Sequence, residues 1–249
     1  MSFPLFPFRR RPRPRLPKLR RVYAVGDIHG RLDLLRQIYG RIITDDAGRA
    51  PANTEIILLG DLIDRGPQSA EVIRFAMETE PAFAQLTVLP GNHEDAMLRA
   101  LDGDRDMLAR WLRFGGVDTL ESFGVDPVLA EDGTADEVLA AARAAVPDAV
   151  RQWLATRPLH REIGDYLFVH AGIRPGIPLA EQERDDQLWI RAGFLDSRED
   201  FGRTVVHGHT IVRAVERRRN RIAIDTGAYV TGRLTAIGLE RDRQWFLHT

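Results

Sequence analysis

The chain reads as an α/β protein, and two observations carry that reading. Apolar strand-like runs alternate with segments of helical periodicity, and the C-terminal third is rich in strands. Five of the apolar runs also end in polar residues able to hold a metal ion. In α/β sheets the carboxyl ends of strands gather at one edge where ligands bind, so residues far apart in sequence would meet there.

The first strand is Val22-Tyr23-Ala24-Val25, followed by Gly26-Asp27. Leu32, Leu35, Ile38 and Ile42, spaced three and four apart, predict a helix. Ile56–Leu59 is the next buried strand and ends in Gly60-Asp61; Ser69 then reads as the N-cap of a helix through about Met77. Leu86–Leu89 runs into Pro90-Gly91-Asn92-His93. Residues 95–158 read mostly helical, with turns near Gly103, Gly115-Gly116 and Gly124, and are expected to form a cap-like insertion that shapes access to the site. Three more runs end in polar motifs: Leu167–Val169 before His170-Ala171-Gly172, Thr204–Val206 before His207-Gly208-His209, and Ile222–Ile224 before Asp225-Thr226-Gly227. Two closing strands fall near 234–239 and 244–247. No linker divides residues 21–249, which are read as one catalytic domain.

Composition narrows the chemistry. The 249 residues include no cysteine, which excludes disulfides, thiolate-ligated zinc, iron–sulfur clusters and a thiolate nucleophile. The net charge of −1 hides an uneven distribution: eight basic residues and no acid lie between Arg9 and Arg21. With Pro12, Pro14 and Pro17 interrupting backbone pairing, residues 1–20 are read as an extended, mobile basic tail. Such a tail can meet an anionic partner, though a solvated arm is the preferred reading. The run from Phe3 to Phe8 is broken by prolines, and no window holds about 18 apolar residues, so neither a secretory leader nor a membrane span is expected. A cytoplasmic location is the corresponding expectation. Arg213, Arg217, Arg218, Arg219 and Arg221 read as a solvated hairpin turn.

The strand-end residues are Asp27 with His29, Asp61 with Asp64, Asn92 with His93, His170, and His207 with His209. Of the seven histidines, only His160 and His248 lie outside these motifs, so the rest are not scattered surface residues. Carboxylate, amide oxygen and imidazole together suit Mn, Fe or Zn better than Ca. Two ions about 3.5–4 Å apart can acidify a bridging water and clamp a phosphoryl oxygen. Arg65, directly after Asp64, could supply a guanidinium to phosphate.

These motifs resemble those of the calcineurin-like metallophosphoesterases: Gly26-Asp27-Ile28-His29-Gly30, Gly60-Asp61-Leu62-Ile63-Asp64-Arg65-Gly66, Gly91-Asn92-His93-Glu94, Val169-His170-Ala171-Gly172 and Gly208-His209-Thr210. The chain is most similar to the phosphoprotein-phosphatase branch in its short bacterial form, from about Val22 to Leu239. The resemblance implies a four-layer α/β/β/α sandwich with mixed sheets. It implies that Asp27 and His29 hold one metal, that Asn92, His170 and His209 hold a second, and that Asp61 bridges them. The metals would be two divalent cations, Mn first, with Fe or Zn as alternatives. It further implies direct in-line attack by a metal-bridging hydroxide, with His93 as general acid, Asp64 fixing its tautomer and Arg65 binding phosphoryl oxygens. Arg191 is the candidate for a second phosphate arginine, with Arg174 behind it. Ile211 stands where many relatives outside this branch carry a further histidine, so His207 is read as a strand-end residue without a role. Asp225 is read as structural because the ligand set is already full.

The first functional reading is a serine/threonine phosphoprotein phosphatase, supported by the Asp64-Arg65 pair. The alternatives are a symmetrical bis(5'-nucleosyl)-tetraphosphatase, whose members often lack the equivalent of Asp64, and a phosphatase of small phosphorylated molecules. A catalytically dead module holding nucleic acid through the tail is disfavoured, because every ligand and the acid are present.

Overall fold

The computed structural model describes residues 13–79 and 81–249. Its layers follow from the alternation in β1 (Arg20–Val25). Val22 and Ala24 face one side, Tyr23 and Val25 the other, and all four are buried. A strand buried on both faces must lie between two packed layers. Tyr23 and Val25 join a core with α1 (Leu32–Ala47), α2 (Ser69–Glu78) and α3 (Asn92–Leu101). Val22 and Ala24 join Phe168, Val206 and Ile222 in a second core between two sheets.

The first sheet has the order β10-β9-β1-β2-β3, built from β1, β2 (Asn53–Leu58), β3 (Ala84–Val88), β9 (Thr235–Glu240) and β10 (Arg243–His248). β1, β2 and β3 run parallel, while β9 and β10 add an antiparallel edge. The second sheet has the order β4-β5-β6-β8-β7, from β4 (His160–Ile163), β5 (Tyr166–Val169), β6 (Thr204–His207), β7 (Glu216–Arg217) and β8 (Arg221–Ala223). Here β5, β6 and β8 are parallel and both edges are antiparallel. Leu167, Val169 and Val205 pack outward onto Ile173 and Phe194 beneath α9 (Arg184–Trp189) and its flanking loops. The expected α/β/β/α sandwich is present, with a fourth layer that is mostly loop. The edge strands β4 and β7 escaped the sequence reading, because His-Arg-Glu-Ile and Glu-Arg carry almost no apolar signal.

Between α3 and β4 the chain forms α4 (Arg105–Trp111), a π turn (Leu112–Gly116), α5 (Val117–Ser122), α6 (Pro127–Asp132), α7 (Ala135–Ala145) and α8 (Asp148–Ala155). Leu108, Trp111, Leu120, Val138 and Leu154 share the α1–α3 core, so this insertion is fused to the body. No helix among the described residues is long and apolar enough to cross a membrane.

Register brings the motifs together. Val25 pairs with Leu58 and Leu58 with Val88, so the loops carrying Asp27, Asp61 and Asn92 leave one edge side by side. In the second sheet Phe168 pairs with Val206 and His207 with Ala223, and Gly208 N–H donates to the His170 carbonyl (2.9 Å). The loops carrying His170, His209 and Asp225 leave there.

The basic stretch divides in two. Residues 1–12 lie outside the described residues. From Pro14 onward the chain is pinned to the body: Arg15 N–H donates to Asp165 (2.9 Å), Leu16 N–H donates to the Arg241 carbonyl (2.9 Å), and Leu16 closes one end of the inter-sheet core. Arg20 opens β1, so the boundary drawn after residue 20 falls inside a strand. Arg21 is fully buried and donates to Asp46 and Glu240, so part of the apparent tail charge belongs to the fold.

Glu55 on β2 joins the sheets. Its buried carboxylate accepts from Arg20 (2.7 Å), Thr87 (2.8 Å) and, from the other sheet, Arg161 (2.9 Å). Burial opposes its ionisation, but the arginines and Thr87 outweigh that and hold its carboxyl below the ordinary 4.5. A depressed acid stabilises the fold fully above its unfolded value and loses that contribution as pH falls through its folded value. Because both arginines keep partial hydration, Glu55→Gln is expected to cost about 1–2 kcal/mol at pH 7. Urea unfolding across pH checks this: the gap from the parent protein should be constant above 4.5 and close progressively at more acid pH.

Candidate metal centre

Backbone geometry concentrates at the shared sheet edge. Among the described residues seven non-glycine residues have positive φ, and five of them are His29, Asp61, Asp64, Arg65 and His209. Such conformations carry a cost and persist where surrounding contacts overdetermine them. Glu94 supplies much of that constraint. Its fully buried carboxylate accepts from Gly91 N–H (2.6 Å), Asp61 N–H (2.9 Å) and Leu62 N–H (2.8 Å), clasping the β2 loop to the start of α3. Burial, then Asp61, pushes its carboxyl up to about 7. The sequence reading assigned Glu94 no role. An acid three residues after Gly91 is the capping-box signature that could have marked it.

Two groups of buried side chains have ligand atoms within 4.8 Å of one another: His29, Asp61 and His93, and Asp61, His170 and His209. Asp61 belongs to both. Its Oδ2 lies 3.6 Å from His29 Nε2 and its Oδ1 lies 3.4 Å from His170 Nε2. Asn92 completes the second group, with Oδ1 2.7 Å from His209 Nδ1 and 3.0 Å from His170 Nε2. Backbone carbonyls set the tautomers: Ile63 O lies 2.8 Å from His29 Nδ1, and Leu59 O lies 2.9 Å from His170 Nδ1. Each Nδ1 then carries the proton and each Nε2 is left free to ligate. Burial pushes His29 down to about 3, so the ring is neutral and ligand-competent at neutral pH.

Asp27 stands at the margin of these groups. Its Oδ2 accepts from His209 N–H (2.9 Å), while its Oδ1 is buried without a partner. Asp225, also buried, interacts with it. Burial, then Asp225 and Asp61, pushes the Asp27 carboxyl well above the ordinary range, and burial pushes Asp225 up to about 6. Asp225 therefore belongs to the crowded acids of the site itself. The position has no room for a larger residue at Gly208, where a Cβ would sit 1.9 Å from Asp27 Oδ1. An orphaned carboxylate oxygen, crowded acids and neutral imidazoles facing one space fit a pair of divalent cations.

The remaining candidates separate cleanly. His93 Nδ1 lies 2.5 Å from Asp64 Oδ2, and its Nε2 faces Asp61 at 3.9 Å. Burial works against a charged His93, but Asp61 and the hydrogen bond to Asp64 prevail and hold its pKa above the ordinary value. Arg65 Nη1 lies 3.2 Å from His29 Nε2, and its guanidinium covers the ring of Tyr229 in α10 (Ala228–Thr231) at 4.6 Å. Arg191, just past α9, is exposed at the mouth and donates to the His209 carbonyl (3.5 Å). Arg174 instead pairs with Asp186 (2.9 Å), and His160 Nδ1 donates to Gln187 Oε1 (2.7 Å). Both line a separate cavity on the second sheet. His207 packs edge-on against Phe194 (5.1 Å) and belongs to neither group, and His248 meets Thr235 (2.9 Å). The arginine-rich turn is β7–β8, with Arg218 and Arg221 both on Glu216.

The calcineurin-like phosphoesterase family model matches residues 20–228. The chain belongs to the calcineurin-like phosphoesterase family. A symmetrical bis(5'-nucleosyl)-tetraphosphatase of Methylococcus capsulatus is 37% identical over 155 residues, 62% of this chain and 44% of that protein. The chain thus matches less than half the length of that relative. An asymmetrical bis(5'-nucleosyl)-tetraphosphatase of Anoxybacillus flavithermus is 27% identical over 233 residues, covering 86% of this chain and 88% of that protein. The crystal structure of a cold-active protein-tyrosine phosphatase from a Shewanella species superposes with a TM-score of 0.61 at 20% identity, over 94% of this chain and 82% of that one. At that identity the likeness concerns the fold. The narrower placement among phosphoprotein phosphatases does not carry over to these relatives: the first bears the name of the symmetrical nucleotide alternative, and the second that of an asymmetrical enzyme.

Adding Mn²⁺ to chelator-treated protein is expected to raise its melting temperature, by about 2.7 kcal/mol of stabilisation at a hundredfold excess over Kd. Asp61→Asn should abolish that rise. Asp27→Asn should make the cation-free protein more stable, by relieving carboxylate crowding, while shrinking the rise. Thermal unfolding with and without chelator checks all three.

Proposed function

We propose that this site cleaves the phosphate chain of a dinucleoside tetraphosphate. The observation that carries the reading is Asp61, shared between two buried ligand groups with Arg65 and Arg191 at their mouth. The nucleotide class is supported by the named relatives and by the rim of the site. Phe114 is 41% exposed with its ring 6.4 Å from His93, and Ile211, two residues past His209, is also exposed. Flat apolar surface beside paired guanidinia suits a base and its phosphates.

In this reading Asp27, His29, Asp61, Asn92, His170 and His209 hold two divalent cations, which supply Lewis acidity and an activated water. Arg65 and Arg191 draw the reacting phosphoryl group into the mouth and take up charge that develops on its oxygens. His93 donates its Nε2 proton to the leaving oxygen, while Asp64 accepts from Nδ1 and supports the ring's charge.

A second reading is favoured by one observation: the His93–Asp64 pair is complete and buried. A strong acid partner matters most for a basic alkoxide, the leaving group of a phosphoserine or a small alkyl phosphate.

Product analysis separates the readings. Diadenosine tetraphosphate with Mn²⁺ is expected to yield ADP alone if cleavage is symmetrical, whereas ATP plus AMP would move the cut. Phosphate released from phosphopeptides, with the dinucleotide untouched, would replace the proposal by the second reading. Phe114→Ala should raise KM for the dinucleotide roughly tenfold and leave a small aryl phosphate unaffected. His93→Asn should lose about 10²–10⁴ in kcat on alkyl phosphates. Metal analysis of that variant should find both cations retained; their loss would make His93 a ligand.

A further inference from the structure

Asp64 is held from a direction that the sheet edge does not provide. Its Oδ1 accepts from the Thr119 hydroxyl (2.5 Å), and the Trp111 indole N–H is shared between Oδ1 and Oδ2 (3.1 Å each). The Asp64 N–H donates to Thr119 Oγ1 (2.9 Å) and to Ser69 Oγ (3.0 Å). Thr119 thus grips one residue at both its backbone and its carboxylate. Asp64, Ser69, Trp111 and Thr119 are all fully buried. That grip offsets the cost of Asp64's left-handed backbone, at φ 73°.

Trp111 ends α4 and Thr119 lies in α5, eight residues on, across the π turn. On an unbroken α-helix a residue eight positions on is turned about 80° from the first and lies about 12 Å along the axis. The chain instead kinks at Gly115, with φ 109°, and the kink lets both side chains reach one carboxylate. The same turn meets Arg65, whose N–H donates to the Gly115 carbonyl (3.4 Å). With both lone-pair regions of Oδ1 taken and Trp111 bracing Oδ2, the carboxylate has one remaining direction, and His93 Nδ1 occupies it.

We propose that Trp111 and Thr119 are positioning residues for proton donation, setting the rotamer of Asp64 and through it the orientation of His93. The inference rests on the phosphoesterase reading of the site. A carboxylate free to rotate would cease to fix the ring, and Nε2 would lose its aim at the leaving oxygen.

Two variants test this while preserving bulk. Trp111→Phe removes only the indole N–H with part of the ring, and Thr119→Val removes only the hydroxyl. Phenyl phosphate, with its poorer leaving group, and 4-nitrophenyl phosphate, with its better one, are compared with Mn²⁺ loaded. Each variant is expected to lose roughly tenfold or more in kcat on phenyl phosphate and about threefold or less on 4-nitrophenyl phosphate, with KM little changed. The imidazole N–H resonance of His93, observed in metal-free protein labelled with ¹⁵N-histidine, should move upfield in both variants as its bond to Asp64 loosens. Equal losses on the two esters, or an unmoved resonance, would overturn the inference and leave Trp111 and Thr119 as packing residues. A parent protein that cleaves neither ester nor diadenosine tetraphosphate, while the resonance still shifts in the variants, would sink the phosphoesterase reading and leave the positioning contact standing.

Discussion

Four buried carboxylates at one sheet edge set the terms for the rest of the molecule. Asp27, Asp61, Glu94 and Asp225 are drawn from three loops of the first sheet and one of the second, and all are nearly sealed from solvent. Like charges desolvated together repel, so the arrangement needs either protons or cations to persist. Glu94 is relieved by the backbone N–H groups of Gly91, Asp61 and Leu62. Asp27 has no such relief at Oδ1, which is where a cation would be worth most. The mixed sheets exist to bring these loops to one place, and the parallel core strands do so through their register.

The layered fold was legible because β1, β2, β5 and β6 are apolar on both faces and end in glycine-bounded polar motifs. The six candidate ligands were legible for the same reason: a histidine or aspartate after a buried strand has few other places to go. Less was visible where side chains act at a distance. Glu94 serves the β2 loop, not its own helix alone, and Asp225 follows a strand of the other sheet. Trp111 and Thr119 sit in a helical segment whose periodicity looks like ordinary core. The choice between Arg191 and Arg174 also depended on tertiary partners, since only the ion pair with Asp186 takes Arg174 away.

The basic N-terminal stretch shows how charge counting misleads. Arg20 and Arg21 read as tail by composition, yet Arg20 meets a buried glutamate and Arg21 bridges α1 and β9 through Asp46 and Glu240. A run of arginines can therefore end as core scaffold with no break in its composition. Of the two leucines there, Leu16 docks in the inter-sheet core while Leu19 stays exposed.

The insertion holds the last consequence. Its residues brace Asp64 and hydrogen-bond Arg65, and its Phe114 overhangs the mouth of the site. Substrate-facing loops are usually the parts of an enzyme most freely exchanged, because the scaffold beneath them is indifferent to their sequence. Here one short stretch, from Trp111 to Thr119, carries both the overhang and the brace. Grafting a new cap onto this scaffold to change its substrate would thus exchange part of the catalytic alignment as well, and diversification of the one is tied to conservation of the other.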